Sequence, residues 1–247
     1  TLDYDTSRQE YDNAIKINDQ GVEEYPVGTV DNINSIFSAG NFCSGAAGTN
    51  ANACIANGGT WARRANPRVG YGAVQEFTRD AWSLTHEGRW DFGNSFVSLS
   101  HVATNNDGRT MPFTVDERAE LLRMIDGTGP YAGLPLAERR DLAESTFLPR
   151  PKRTLESAQY TLDAKFDLPF QLAGDHTTVL GAQVIQGELT DGIFGIESGT
   201  PGLKQEHNMY SLFAEDTWTI TEPFALTAGL RWDDHEVFGN HLSPRLY

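Results

Sequence analysis

Apolar and polar residues alternate along most of the chain with a period of two. Within residues 224–233, the leucines and Trp232 fall on one face, whereas Thr227 and Arg231 fall on the other. A period of two is that of a β-strand, in which successive side chains point to opposite faces. An apolar face that ends in an aromatic residue, opposite a charged face, is typical of a strand that separates lipid from water.

The same alternation predicts eight antiparallel strands, separated by segments rich in turn-forming residues. The predicted strands span residues 2–15, 74–90, 95–105, 154–168, 177–189, 208–220, 224–233 and 242 onward. The sequence therefore predicts an all-β protein.

The connections between the predicted strands alternate in length. Short ones at 91–94, 169–176 and 221–223 are interleaved with long ones at 16–73, 106–153 and 190–207. Soluble meanders rarely contain loops this long, whereas outer-membrane barrels combine short periplasmic turns with long extracellular loops. The alternation predicts an antiparallel transmembrane β-barrel and its orientation in the membrane.

The predicted lipid-facing side has an aromatic edge and two polar exceptions. Aromatic side chains stand near the short turns, as an interfacial girdle requires: Trp90, Phe166, Trp218 and Phe224. His86 and Asp216 also fall on this side, where a charge at mid-membrane costs about 2–4 kcal/mol. We expect Asp216 to lie at the interface, and His86 to be neutral or to sit in a local bulge.

One segment departs from the strand pattern. Residues 114–145 have a helix-like composition, with apolar positions at Leu121, Leu122, Met124 and Ile125. We expect one short amphipathic helix, carried as an ornament within an extracellular loop, with a second, partner-binding helix as the alternative.

Composition narrows the class of protein. The 247 residues are 39% hydrophobic with a mean hydropathy of −0.43, and no run of about 18 apolar residues could form a transmembrane helix. The net charge of −15 disfavours nucleic acid, which needs a basic footprint. These values by themselves also fit a soluble acidic β-protein.

The only two cysteines, Cys43 and Cys54, lie in one Gly-, Ala- and Asn-rich stretch. An oxidising compartment would pair them, and closing such a loop contributes about 3 kcal/mol in the chain-entropy model. A two-cysteine metal site lacks further ligands nearby. We predict a disulfide in a long loop.

No sequence motif indicates catalysis or a resident metal. Nucleophile-elbow, zinc-protease, phosphate-loop and dinucleotide motifs are all missing from the sequence. Carboxylates that could serve a glycosidase instead fit a solvated strand face: Glu87, Glu215, Asp216, Asp233 and Asp234. We therefore expect no enzyme and no metal site, beyond a stray divalent ion at residues 233–235.

Several motifs together resemble a known family. LFAEDTW, TAGLRWDDH and SPRLY, all in the last 40 residues or so, resemble the barrel signature of TonB-dependent outer-membrane receptors. WSLTHEGRWDFGNSF, which begins at Trp82, is similar to a hairpin of the ferric-enterobactin (catecholate siderophore) branch.

The resemblance implies a barrel of about 22 strands filled by an N-terminal plug, of which residues 1–247 would be a barrel segment without the plug. It implies a Gram-negative outer-membrane receptor that imports a ferric siderophore as transported ligand, without a covalently bound cofactor. Expected partners are TonB, lipid and lipopolysaccharide, with colicins or phages as further ones. Alternatives are a passive porin-like or adhesion barrel, and a soluble acidic β-protein or glycosidase.

A ferric catecholate is anionic and aromatic, so its receptor needs cations and aromatic rings. The densest such cluster lies before and within the second strand: Trp61, Arg63, Arg64, Arg68, Tyr71 and Arg79. We predict these as ligand-binding residues, although arginines paired with local carboxylates would give the same pattern. A second basic patch lacks aromatic residues: Arg139, Arg140, Arg150, Lys152 and Arg153.

Overall fold

The computed structural model describes residues 1–14, 16–21, 23–24, 31–37, 41–48, 51–63 and 69–247. Its strands are β1 (Leu2–Asp12), β2 (Lys16–Ile17), β3 (Glu23–Glu24), β4 (Asn41–Ser44), β5 (Thr60–Arg63), β6 (Tyr71–Trp90), β7 (Gly93–Arg109), β8 (Leu155–Gln171), β9 (Asp175–Asp191), β10 (Lys204–Thr221), β11 (Phe224–His235) and β12 (Gly239–Leu246). The helices are α1 (Ile33–Phe37), α2 (Ala51–Ala56), α3 (Val115–Asp126) and α4 (Leu136–Phe147).

The eight long strands form one antiparallel sheet in the order β1-β6-β7-β8-β9-β10-β11-β12. Each predicted strand is present, and this confirms the antiparallel β fold. Within the described residues β1 and β12 do not pair with each other, so this sheet is not closed into a barrel. No helix in this part of the chain is long and apolar enough to cross a membrane.

The three short connections are confirmed as tight turns at 91–92, 172–174 and 222–223. The connection between β11 and β12 is also short, although it lies at the end that carries the long loops. There, His235 Nδ1 accepts the N–H of Val237 at 3.0 Å, and Gly239 adopts a φ of 73°. The alternation of loop lengths is therefore not strict.

One face of the sheet is apolar and exposed across strands. The register places Leu84 opposite Leu99, Leu99 opposite Leu162, and Leu162 opposite Val184. Leu84 is 53% exposed and Leu162 is 40% exposed. A broad apolar surface of this kind is what a lipid-facing side requires.

The aromatic residues predicted for the girdle lie on the short-turn side of their strands. Trp90 is the last residue of β6, and Phe224 is the first of β11. Trp90, Phe166 and Phe224 are exposed, and Trp218 is half-buried. These positions agree with side chains placed at a membrane interface.

Asp216, a polar exception on the apolar face, has hydrogen-bond partners on the neighbouring strand. Thr178 donates to its Oδ1 at 2.5 Å, and His176 Nδ1 lies 2.7 Å from its Oδ2. The His176 ring stacks between Phe170 and Trp218, with centroid distances of 4.8 and 5.6 Å. The carboxylate is thus hydrogen-bonded to the central ring of an aromatic stack close to the 172–174 turn.

His86 lies opposite Val97 of β7 in regular pairing. The β6–β7 register shifts only between Tyr71 and Glu76, well before His86. The expectation of a local bulge at His86 is therefore wrong.

The opposite face of the sheet is polar and internally hydrogen-bonded. Arg231 donates to Asp233 at 2.8 Å, to Ser211 at 2.9 Å and to Gln183 at 3.3 Å. Gln183 in turn donates to Asp163 at 2.7 Å. This network links four adjacent strands and confirms the predicted division into an apolar and a polar face.

The first two long connections share a hydrophobic core. Ile36 of α1 is buried with residues of the second long loop: Phe113, Leu121, Met124, Ile125, Ala143 and Phe147. We call this group, with α1, α3 and α4, the loop cap. Both α3 and α4 form in this segment, so the expectation of a single helix is wrong in number, and the alternative with a second helix is the one observed. α4 buries only Ala143 and Phe147, too few positions to produce a clear amphipathic pattern.

Candidate ligand-binding site at the loop-bearing end

The first long loop carries a disulfide-bonded hairpin. Cys43 of β4 and Cys54 of α2 are bonded, with their Cα atoms 5.4 Å apart, as predicted. Trp61 lies directly opposite Cys43 in the β4–β5 register. The bond therefore ties α2 to β4, the strand that pairs with the Trp61 strand β5.

The predicted ligand-binding residues fall into two groups. Trp61 is half-buried within β5. Arg63 ends that strand, but its side chain, together with Arg64 and Arg68, lies outside the described residues. For these arginines the ligand-binding role stays a prediction.

Tyr71 and Arg79 lie on the same strand but far apart. They are eight residues apart in β6, which corresponds to about 26 Å along an extended strand. Arg79 forms an ion pair with Asp5 of β1. The structure therefore does not bring Arg79 and Tyr71 to one point.

The second basic patch is occupied by structural contacts. Arg139 Nη1 donates to the carbonyl oxygens of Met124 and Ile125 at 2.6 and 2.7 Å, and so satisfies the last turn of α3. Arg140 donates to the side chain of Asn34 in α1. Both arginines hold elements of the loop cap together.

Arg150 is the most deeply buried cation of this patch, with only 4% of its side chain exposed. It donates to both carboxylate oxygens of Glu117 and to the carbonyl oxygens of Met111 and Pro112. Its guanidinium also lies 4.5 Å from the ring centroid of Phe113. All three guanidinium nitrogens therefore donate within the second long loop, and one face lies on an aromatic ring.

Burial acts to raise the pKa of Glu117, but the hydrogen bonds from Arg150 and from the Thr114 N–H outweigh it. The pKa of Glu117 consequently lies below its ordinary value. Thr114 and Glu117 also form the capping box that starts α3.

Contacts between loops join the first and third long loops to the second. Asp31 of the first loop accepts from Gly70 N at 2.8 Å and from the Thr110 hydroxyl. Glu197 of the third loop accepts the N–H of Val115 at 3.2 Å, at the start of α3. The loop-bearing end is therefore one connected assembly.

Arg109 is a candidate functional residue that sequence reasoning missed. It ends β7 and pairs in register with Tyr71 at the start of β6. Its guanidinium lies 5.4 Å from the Tyr71 ring centroid, within cation–π distance. In the sequence it stands alone between polar residues, so only the strand pairing reveals the aromatic partner.

No group of three or more potential metal ligands occurs among the described residues. At residues 233–235, Asp233 accepts from Arg231 and Ser211, and His235 Nδ1 accepts a backbone N–H. These atoms already accept hydrogen bonds from the protein, which argues against a divalent ion at residues 233–235.

Comparison with known sequences gives a consistent result. The family profile "TonB dependent receptor-like, beta-barrel" matches residues 3–247. The ferric enterobactin receptor of Pseudomonas aeruginosa is 29% identical over 185 residues, covering 68% of this chain and 21% of that protein. The ferrienterobactin receptor of Escherichia coli K12 is 25% identical over 183 residues, covering 68% and 22%. The chain thus spans about a fifth of the length of the curated relatives it matches.

Solved structures agree on the fold. A crystal structure of a ferric enterobactin receptor mutant from Pseudomonas aeruginosa matches with a TM-score of 0.51 and 24% identity, covering 70% of this chain and 23% of that one. A mutant of the same receptor in complex with enterobactin matches with a TM-score of 0.50 and 23% identity, with the same coverage. At this identity, the likeness shows a shared barrel fold.

Proposed function

The chain belongs to the TonB-dependent receptor β-barrel family, whose profile covers residues 3–247, and we propose that it forms part of an outer-membrane receptor that imports a ferric siderophore. The family is one of receptors and transporters rather than enzymes. Two faces of opposite polarity suit this role, since one side of such a sheet contacts lipid and the other lines the lumen.

The observation that carries the proposal is the family match over residues 3–247. The choice of ligand follows from curated relatives that are named as ferric enterobactin receptors. We therefore take a ferric catecholate as the transported ligand. The iron belongs to the cargo, and no covalently bound cofactor is part of the proposal.

In the complete receptor, residues 1–247 would be a barrel segment, and a plug domain elsewhere in the protein would fill the lumen. TonB would act on that plug and supply energy from the inner membrane. The polar network around Arg231 belongs to the lumenal side in this arrangement.

Ligand capture is proposed at the loop-bearing end, where the predicted contacts cluster: Trp61, Arg63, Arg64, Arg68 and Tyr71, with Arg79 further along β6. The chain carries a net charge of −15, which repels an anionic complex unless positive charge is concentrated where it arrives. Local cations would therefore raise the rate of capture, and salt would screen the effect.

Growth in iron-limited medium tests the import function. A strain that lacks its own catecholate receptors, complemented with the complete receptor, should grow on ferric enterobactin as sole iron source only when TonB is active. Growth that persists without TonB would favour a passive channel. A lack of growth with TonB present would refute the proposed ligand.

Ligand capture by the first loop is tested separately by binding kinetics. Replacing Arg63, Arg64 and Arg68 with Ala should slow association of ferric enterobactin and flatten its salt dependence. Arg139, Arg140 and Arg150 are unsuitable as controls, because they hold the loop cap together.

A better control removes the same charge from exposed positions outside the first long loop, at the same end of the molecule: Arg123, Lys152 and Lys204. Equal slowing in both triple variants would show that net charge, rather than the first loop, governs capture.

A further inference from the structure

His176 lies between two aromatic rings at the short-turn end of the sheet. It pairs in register with Phe170 of β8 and with Trp218 of β10, so the three side chains stand in one row across adjacent strands. The His176 ring is nearly parallel to both neighbours, at 2° to Phe170 and 8° to Trp218, with centroid distances of 4.8 and 5.6 Å. The side chain is 13% exposed. Both faces of the imidazole are therefore covered by aromatic rings.

Both nitrogens of the His176 ring face oxygen atoms that accept hydrogen bonds. Nδ1 lies 2.7 Å from Oδ2 of Asp216, and Nε2 lies 3.0 Å from the carbonyl oxygen of Leu172. A carbonyl oxygen and an ionised carboxylate can only accept, so each of these bonds takes its hydrogen from the ring. A neutral imidazole carries one N–H, whereas the imidazolium carries two. The two bonds together therefore require a protonated His176.

The proton between His176 and Asp216 resides on the ring. Oδ1 of Asp216 accepts a hydrogen bond from the Thr178 hydroxyl at 2.5 Å, and such a bond favours the ionised carboxylate. Aspartic acid is also ordinarily the stronger acid of the two residue types. A positive charge on His176 gains further attraction from both flanking rings, because each centroid lies within the distance of about 6 Å for a cation–π contact.

The charged groups near His176 have the sign that suits an imidazolium. Asp216 faces the ring from β10, and Asp175 precedes it on β9. Asp175 also accepts a hydrogen bond from Gln171 of β8 at 2.8 Å. The other contribution of β8 is the uncharged ring of Phe170. The two carboxylates both attract the positive charge of a protonated ring.

The same row of side chains fastens the 172–174 turn. His176 binds the carbonyl oxygen of Leu172, and Nε1 of Trp218 donates to the carbonyl oxygen of Ala173 at 3.1 Å. Ala173 has a φ of 52°, in the left-handed region that residues with a Cβ adopt uncommonly. A Cβ at Gly174 would lie 2.6 Å from Nε1 of Trp218, so the turn backbone rests against the indole ring. Side chains of β9 and β10 thus hold a turn conformation that the local sequence does not favour.

From this geometry we propose that His176 is a histidinium that clasps the turn between β8 and β9 to β10, and that loss of its proton releases the turn. Without the second proton, one ring nitrogen directs a lone pair at an oxygen of Asp216 or Leu172. Asp216 also loses its counter-charge on the apolar side of the sheet, where an unpaired charge is unfavourable. Because the proton stabilises the closed form, the clasp is closed at low pH and opens as the pH rises. This device does not depend on which ligand the receptor transports.

Histidine-selective ¹⁵N NMR of the complete receptor in detergent micelles tests the protonation state. The His176 signal, identified by its loss in His176→Gln, should be that of a doubly protonated ring at about pH 7.5, where an ordinary histidine is about nine-tenths neutral. In Asp216→Asn the ring lacks its counter-ion, so its deprotonation should move to lower pH by about one unit. A neutral wild-type ring at about pH 6, or an unchanged midpoint in Asp216→Asn, would overturn the proposal.

Hydrogen–deuterium exchange tests the release of the turn. After correction for intrinsic rates, exchange in residues 171–177 of the wild type should rise by about tenfold between about pH 6 and about pH 8.5. His176→Gln cannot carry the charge, so its exchange should be fast at both pH values and show no rise. Constant exchange in the wild type, or a rise that persists in His176→Gln, would contradict the clasp.

His101→Gln is the matched control. His101 also contacts two aromatic rings, with centroid distances of 4.3 Å to Tyr160 and 5.8 Å to Trp82, but no hydrogen bond of its ring is described. This variant should keep the full rise in exchange at residues 171–177. Equal loss of the rise in His101→Gln and His176→Gln would show that the proton acts elsewhere and would overturn the clasp.

Discussion

Arg150 donates to both oxygens of the Glu117 carboxylate, at 3.0 Å from Nη1 to Oε1 and 2.9 Å from Nη2 to Oε2. Glu117 lies in the first turn of α3, whereas Arg150 follows α4. The pair therefore joins the two ends of the helical segment of the second long loop. Its Arg150 side is buried, and its Glu117 side is 34% exposed.

The first prediction concerns this pair. Glu117→Gln keeps the shape of the side chain but leaves the Arg150 charge buried without a counter-ion. We expect a loss of about 3 kcal/mol in local stability, the lower end of the range for buried pairs, because Glu117 is partly exposed. Hydrogen–deuterium exchange of the complete receptor should show faster exchange in α3 and α4, with the sheet unchanged.

Asp116→Asn is the matched control, since Asp116 occupies the same helical turn and no described contact involves its carboxylate. It should leave exchange in α4 unchanged. Equal acceleration in both variants would show that the helix dipole, not the Arg150 pair, stabilises the loop cap.

The lowered pKa of Glu117 predicts an acid-labile loop cap. Because the pKa is lower in the folded state than its ordinary value of 4.5, the stabilisation is fully present above that value. It is lost as the pH falls through the folded-state pKa. Exchange in α3 and α4, corrected for intrinsic rates, should therefore be constant from neutral pH to about pH 5 and rise below about pH 4. Glu117→Gln should reduce this rise, and the part that remains belongs to Glu120 of α3, whose pKa is also lowered, by a hydrogen bond from Tyr131.

The Cys43–Cys54 disulfide should stabilise the hairpin of the first long loop. Reduction, or replacement of both cysteines by Ser, removes a cross-link worth about 3 kcal/mol by the chain-entropy account. Limited proteolysis should then cleave between β4 and β5 while the long strands stay intact. Two reactive thiols in unreduced, denatured wild-type protein would contradict the disulfide.

Gly181 makes room for an aromatic ring on the polar face. A Cβ at this position would lie 2.0 Å from Cζ of Phe213, so the ring rests against the backbone of β9. Gly181→Ala should displace the ring and destabilise the protein by about 1–3 kcal/mol, as overpacking does. The midpoint of urea unfolding in detergent measures the change.

Removing the ring should relieve this effect. The double variant with Gly181→Ala and Phe213→Ala should lose little more stability than the Phe213→Ala single variant. Gly229→Ala is the matched control, because the nearest atom to its Cβ would be Oε2 of the movable Glu215 side chain, at 3.1 Å, with the Ala214 carbonyl at 3.5 Å. Additive losses at positions 181 and 213 would exclude a direct clash.

The long strands could be predicted from the sequence because their pattern is local. Every second residue of β6 and β11 must face the apolar side, so the strand, its two faces and its approximate ends follow from periodicity alone. The disulfide could be predicted because the only two cysteines of the sequence lie in one loop. The family could be predicted from short motifs within the strands.

The sequence by itself thus determined the fold class, the strands and the chemistry expected of the loops. Only the tertiary structure decided which cations are available to a ligand. Arg150 and Arg139 looked like a binding patch, yet both bond to atoms that come near only when α3 and α4 pack. Arg109 looked unremarkable, yet strand register sets it on Tyr71, 38 positions away in the chain. Such contacts join segments that carry no common period, so no local pattern in the sequence encodes them.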